Sequence, residues 1–206
     1  MSFKSFLSES KDVKHLKLKD VCKIIAGKRF TPYTSEGMPV LRSGNIIDGY
    51  VVDEDFVYCD REKHPRVDTV KYGDILIVRF GSAGVVGMNL INREFFLDAN
   101  LSKFSPDSKI LHKQYLYHFL LSRQEEIKGW ARGAVIPAIR KSDLEELMIP
   151  VPSLEQQQTI ASKLDKLVEL KRELKRELKR ELILRKEQHS YYRKQIWEAC
   201  SNGCSK

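Results

Sequence analysis

The sequence predicts an α+β domain of short strands and a packed helix, followed by a single long C-terminal α-helix. Three observations carry the prediction. Between Ser153 and Asn202 there is neither Gly nor Pro, and Leu, Lys, Arg, Glu and Gln, all good helix formers, dominate. Upstream, apolar runs of strand length are separated by Gly-containing turns, and one segment repeats its apolar residues at helical spacing. Strands and helices do not alternate as βαβ units, which argues against a dinucleotide-binding sheet.

In chain order, residues 1–15 are polar, lack a clear period and are expected to be a loose lead-in, and residues 16–152 form the domain. Structure begins with Leu16, Leu18, Val21, Ile24 and Ile25; Gly27 ends this element and presents Lys28 and Arg29 on a turn. Met38 to Ile47 reads as a strand, a turn at Gly44 and a second strand. Val51 to Tyr58 has strand composition within an acidic surround of Asp48, Asp53, Glu54, Asp55, Asp60 and Glu62, a patch not expected to face a polyanion. Lys71 to Asp74 is a turn into Ile75–Arg79, the best strand signal, which runs into the glycine-rich segment Gly81 to Gly87. Phe95 to Leu97 and Leu101 to Phe104 are two further strands. Leu111, Tyr115, Phe119 and Leu120 define an amphipathic helix from Leu111 to about Lys128. Gly133 to Arg140 is a loop with apolar anchors, and Leu147 to Val151 a last strand.

Pro150 and Pro152 end what precedes the long helix, and Ser153 with Gln156 forms a capping box at its start. One helix over residues 153–199 is about 70 Å long at 1.5 Å per residue, too long for one wall of a small globule. Residues 200–206 are a polar tail expected to be disordered. The apolar stripe of the helix is Ile160, Leu164, Leu167, Leu170, Leu174, Leu178 and Leu182. The tandem Leu-Lys-Arg-Glu repeat that starts at Leu170 spaces these leucines by fours, so the stripe drifts by about 40° per step. It also stacks Glu173 over Glu177 over Glu181, mildly unfavourable within one helix. Charge-rich repeats also occur as solvated single helices, but both features ask for a second helix over the leucines, since Leu170–Leu182 would otherwise be a bare apolar stripe.

The chain carries 36 Lys/Arg and 28 Asp/Glu, a net charge of +8. From Ser153 onward there are 13 basic against 8 acidic residues, leaving 23 against 20 before it, so the basic excess sits largely in the helix. Such a balance permits nucleic acid as a partner without demanding it. Cys22, Cys59, Cys200 and Cys204 include no Cys-x-x-Cys pair and the five histidines are scattered, which argues against zinc and for reduced thiols. There is no signal peptide and no apolar run of membrane-spanning length, so a cytoplasmic protein without membrane partners is expected. Gly81–Gly87 lacks both the Lys-Ser/Thr of a P-loop and a following helical pattern. A tight turn that lets backbone approach something closely fits it better. No Gly-x-Ser-x-Gly elbow, no Cys–His pair and no methyltransferase-type Pro-Pro-Tyr sequence occurs. No catalysis, metal or cofactor is expected in this chain.

Several pieces fall in a recognisable order: Leu18 to Lys28; Gly37 to Ile46; Tyr72 to Ile77; Gly81 to Gly84; Tyr115 to Tyr117; Gly133 to Ile139; and Ile149-Pro-Val-Pro152-Ser-Leu-Glu155-Gln156 opening the helix. Together, over about residues 16–185, they resemble the specificity (DNA-recognition) subunits of type I restriction–modification enzymes. The resemblance implies a target recognition domain that reads a few base pairs of double-stranded DNA in the major groove. It implies a spacer helix that pairs as an antiparallel coiled coil and docks methyltransferase (modification) and restriction subunits. S-adenosylmethionine, ATP and magnesium then belong to those partners, and this chain is non-catalytic. Full-length members carry two recognition domains and two spacer helices, against one of each here. A half-subunit that dimerises, a fragment and a cassette joined to another half all fit, and the leucine stripe favours the homodimer, contacting through Leu164, Leu167, Leu170, Leu174, Leu178 and Leu182.

Because Arg and Lys reach guanine bidentately and Asn reads adenine, the DNA-binding candidates on turns are Lys28, Arg29, Arg42, Asn45, Arg79, Ser82, Asn100, Arg132, Arg140 and Lys141. Phosphate contacts should outnumber base contacts. Plainer roles stand beside these: Asn45 after Gly44 as a turn former, Arg79 as the partner of a local carboxylate. The alternative function is a coiled-coil assembly or decoy protein that occupies modification subunits without reading DNA, which the acidic Asp48–Glu62 segment keeps open.

Overall fold

Strands of two to six residues cannot satisfy their backbone groups alone and must pair with distant segments. The computed structural model describes residues 13–203. In order come β1 (Lys14–Lys17), α1 (Leu18–Val21), β2 (Cys22–Ala26), β3 (Met38–Leu41), a 3-10 turn (Ser43–Asn45), β4 (Ile46–Ile47), β5 (Tyr50–Val51), β6 (Val57–Cys59), β7 (Thr69–Val70), β8 (Ile75–Val78), β9 (Val86–Met88), β10 (Phe95–Leu97) and β11 (Leu101–Pro106). Then follow α2 (Lys113–Ser122), α3 (Gln124–Gly129), α4 (Lys141–Glu145), β12 (Met148–Val151) and α5 (Leu154–Gly203). The α+β class and the long helix are as predicted. The chain divides into a globular unit up to Ala161 and a second, helical unit from Ser162.

Within the globular unit one sheet has the order β2-β11-β8-β9-β5-β4 and another β6-β3-β10-β7. β11 is antiparallel to both neighbours, with Phe104 opposite Ile24 and Ile75, and Ser102 opposite Ala26 and Ile77. β3 and β10 are parallel, with Val40 beside Phe96 and Leu41 beside Leu97. β10 shows why both sheets are needed. Its side chains alternate, so Phe95 and Leu97 enter a core with Leu41, Leu76, Val78 and Leu101, while Phe96 enters a second with Phe30, Val40 and Cys59. Phe30 stacks on Phe96 with centroids 4.5 Å apart. This register puts the C-terminal ends of β2, β3, β8 and β10 at one end, together with the start of β11.

The capping box forms as read. The Ser153 N–H donates to Gln156 Oε1 and the Gln156 N–H to Ser153 Oγ, both at 3.3 Å. One residue on, the buried Gln157 accepts the His112 N–H (2.8 Å) and donates to the carbonyls of Ile110 and Pro152 (2.9 Å each). With Ile160 and Ala161 buried, the first turns of α5 belong to the globular unit. In the helical unit Leu167, Leu170, Leu174, Leu178 and Leu182 are 44–60% exposed, and Leu164 is half-buried.

Several expectations are corrected. β1 begins at Lys14, inside the expected lead-in, because it pairs antiparallel with β12, His15 opposite Pro150; residues 1–12 of that lead-in lie outside the described residues. α5 continues through Ala199 to Gly203, since nothing before Gly203 breaks it; residues 204–206 of the expected tail lie outside the described residues. The expected helix from Leu111 to Lys128 breaks at Arg123 (φ −104°, ψ 3°), where the Ser122 hydroxyl bonds back to the Phe119 carbonyl. The Val51–Tyr58 strand is split into β5 and β6 by Asp55 at φ 54°, a conformation that Asp tolerates. In the Gly133–Arg140 loop Ile139 is buried, but Val135 and Ile136 point to solvent and anchor nothing.

Candidate nucleic-acid interface

Main-chain hydrogen bonds assemble one end of the globular unit loop by loop. After β2, the Gly27 N–H donates to the Leu101 carbonyl (3.0 Å) and the Lys28 N–H to that of Leu97 (2.9 Å). Only glycine fits at 27, because a Cβ there would stand 1.9 Å from the Asp98 carbonyl oxygen. The Asp98 N–H donates to Leu41, which fixes Arg42 alongside, and the Asp98 carboxylate accepts the Asn100 N–H (2.9 Å). The Arg79 N–H donates to the Asn100 carbonyl (2.7 Å), and the Arg79 carbonyl accepts from Ile139 (2.9 Å). Arg132 and Ala138 exchange two bonds of 2.9 Å to close a hairpin, and the Gly81 N–H reaches its Pro137 carbonyl (3.0 Å). Nine of the ten sequence-selected residues, from Lys28 to Arg140, are brought to this end on five adjoining loops.

Their chemistry differs. Lys28, Arg29, Ser82, Asn100, Arg132 and Arg140 are exposed. None of the four cations among them pairs with a carboxylate among the described residues. Arg42 and Asn100 line one cleft of about 490 Å³ with Ile47, Glu54 and Asp55, and Arg42 Nη2 donates to the Asp55 carbonyl at 2.9 Å. Asn45 is buried. Its Oδ1 accepts the Arg42 N–H (2.9 Å) and its Nδ2 donates to the Glu54 carbonyl (2.6 Å), so its amide closes the loop, the turn-forming role. Arg79 has no carboxylate partner among the described residues. Its guanidinium lies 5.1 Å from the Phe80 ring centroid, and burial pulls its pKa below the ordinary value.

Lys141 does not join the group. It opens α4, pairs with Glu145 at 3.3 Å, and borders a separate cleft with Cys22, Lys23 and Ser105, at the opposite ends of β2 and β11. Of the glycines of the Gly81–Gly87 segment, Gly84 and Gly87 serve close approach, whereas Gly81 (φ +81°) has open space around it and serves the turn. At Gly84 (φ +92°) a Cβ would come within 2.9 Å of Lys128 on α3, and the Val86 N–H donates to Gln124 Oε1 at 2.9 Å. Among the described residues no three His, Cys, Asp or Glu side chains are placed to hold a metal ion, and no helix is long and apolar enough to cross a membrane.

Residues 10–183 match the type I restriction modification DNA specificity domain. The chain belongs to that family. It is 31% identical over 148 residues to the EcoR124I/EcoR124II specificity subunit of Escherichia coli, covering 70% of this chain and 36% of that one. To the MjaVIII specificity subunit of Methanocaldococcus jannaschii it is 27% identical over 172 residues, 76% of this chain and 40% of the relative. The chain thus spans about two-fifths of the length of such relatives. Among solved structures, the HsdS subunit from Thermoanaerobacter tengcongensis superposes with a TM-score of 0.64 at 23% identity, covering 84% of this chain and 43% of that one. A type I restriction–modification system studied for its assembly and conformational transition gives 0.66 at 24%, with 84% and 44% covered. These likenesses establish the specificity-subunit fold.

In this specificity domain, residue-type reasoning missed the tip of the Arg132–Ala138 hairpin. Val135 is 91% and Ile136 62% exposed, beside the cationic loops. The signal was there in Gly133 and Pro137, which bracket a loop too short to fold its tip back inward.

Proposed function

We propose that this chain is a DNA-reading, non-catalytic specificity subunit of a type I restriction–modification complex. The loop end of the globular unit recognises a short duplex sequence. The leucine face of α5 pairs antiparallel with the same helix of a second copy. The observation that carries this reading is the gathering of Lys28, Arg29, Arg132 and Arg140, exposed and without carboxylate partners among the described residues, at one end of a family member. Phosphates supply the charge these residues lack, and Arg42, Arg79 and Asn100 are the base-reading candidates between them. Two paired chains read a two-part, palindromic target, since protein symmetry is mirrored in the DNA. The helix also docks modification subunits, which methylate adenine with S-adenosylmethionine, and restriction subunits, which use ATP and magnesium.

Light scattering on the purified chain tests the pairing. A mass about twice the 23.9 kDa of one chain is expected, and a clean monomer would rule out self-pairing. One observation favours a second reading. Glu54 and Asp55 share the cleft with Arg42, which suits an assembly or decoy protein that occupies modification subunits without reading DNA. Duplex affinity that falls steeply between 50 and 200 mM salt, on the order of a hundredfold for four phosphate contacts, supports DNA reading. Binding to modification subunits with no salt-dependent DNA affinity supports the decoy.

A further inference from the structure

We propose that Val135 and Ile136 read a thymine: the two apolar side chains at the hairpin tip meet the C5-methyl group of a thymine in the major groove. The inference rests on the DNA-reading function proposed above and names a specificity element within it. A single exposed aliphatic residue on a protein surface is ordinary. Two in succession, 91% and 62% exposed, on a hairpin held this firmly are not a by-product of a loose loop. Arg132 and Ala138 close the hairpin with two hydrogen bonds, and Gly81 and Arg79 bind its returning arm at Pro137 and Ile139. Gly133, at φ +117°, makes the turn possible, and a Cβ there would stand 2.7 Å from the Ile136 carbonyl oxygen. Val and Ile are β-branched and stiff at χ1, so little rotamer freedom is lost when they make a contact.

Charge identifies the occupant. The tip stands between Arg132 and Arg140 at the hairpin's two feet, both exposed and without a carboxylate partner among the described residues. A polyanion that satisfies those arginines presses its own surface onto the tip. In duplex DNA the apolar group offered at that surface is the thymine methyl in the major groove.

The test uses duplexes selected from a random pool by the full chain, each then carrying deoxyuridine in place of one thymine, which removes only the methyl. For the wild-type chain, one position in each half-site is expected at which the replacement weakens binding about fourfold, the worth of one buried methyl group. The V135S/I136S chain should bind the thymine duplex about as weakly as wild type binds the duplex with that thymine replaced in both half-sites, and should not distinguish the two. Both side chains are exposed, so the variant should keep the wild-type melting temperature; V135A/I136A, with a smaller change in polarity, should give an intermediate loss. Equal sensitivity of wild type and variant to every replacement, or no sensitivity in either, overturns the inference while leaving DNA reading intact. Failure of the wild-type chain to enrich any sequence overturns both. A variant that keeps its thymine discrimination but no longer binds a modification subunit reassigns the tip to a protein contact and overturns it as well.

Discussion

Where β2 and β8 begin, lysines meet carboxylates. Lys17 and Lys19 both reach Glu146 at 2.6 Å, Lys103 and Lys113 reach Asp74 at 3.5 and 3.2 Å, and Lys141 reaches Glu145. Where the same strands end, Lys28, Arg29, Arg132 and Arg140 stand exposed with no such partner among the described residues. The first set is neutralised within the fold and contributes to stability, modestly where exposed. The second contributes nothing the fold needs and adds mutual repulsion that an external anion relieves. A count of charges along the chain does not separate the two sets; their pairing does.

The sharpest way to break this contrast is to remove the unpaired set. K28A/R29A/R132A/R140A should lower duplex DNA affinity by roughly a hundred- to a thousandfold at moderate salt. It should flatten the plot of log affinity against log salt by about 3.6 for each chain bound, at 0.9 for each phosphate contact. Fluorescence anisotropy across a salt series measures both, and an unchanged slope would refute the assignment. The converse experiment attacks the paired set. Asp74→Ala leaves Lys103, only 13% exposed, without its carboxylate and should cost about 3 kcal/mol in urea unfolding. D74A/K103M should recover part of that loss, and DNA affinity should change in neither. The smallest effect concerns Glu146, whose pKa the hydrogen bonds from Lys17 and Lys19 pull down from 4.5 to about 2. Its contribution is present above the ordinary carboxylate range and is lost as pH falls from there toward 2. Urea midpoints of Glu146→Gln should therefore fall less than those of wild type between pH 5 and pH 2.5, by a small margin because the pair is exposed.

Local pattern made much of this legible in the sequence. Ile75–Val78, Phe95–Leu97 and Leu101 onward are uninterrupted apolar or alternating runs, and each is a strand. Gly27, Gly44, Gly81 and Gly133 marked the turns that carry the candidate residues. What local pattern omits is strand order. β7 and β9 are two and three residues long, and β9 lies between Gly84 and Asn89, where composition suggests a loop. It is a strand because β8 and β5 flank it. The parallel pairing of β3 with β10 joins segments far apart in the chain, and that pairing brings Arg42 beside Asn100. Arg140 and Lys141, neighbours in sequence, part company because α4 begins between them. The exposure of Val135 and Ile136 is not legible in the sequence, because an apolar residue in a loop looks like an anchor when no partner is in view.

The loops at the cationic end are tied to one another through backbone amides and carbonyls, and few of their side chains take part. Such a surface is indifferent to what it displays. Apart from Gly27, Gly81, Gly84 and Gly133, whose backbones resist a Cβ, and Asn45 and Asp98, whose side chains bond the loops, the exposed positions there can change identity for a few tenths of a kcal/mol in stability. A lineage carrying this chain can therefore wander through many surface alphabets on one unchanging frame, without passing through an unfolded intermediate.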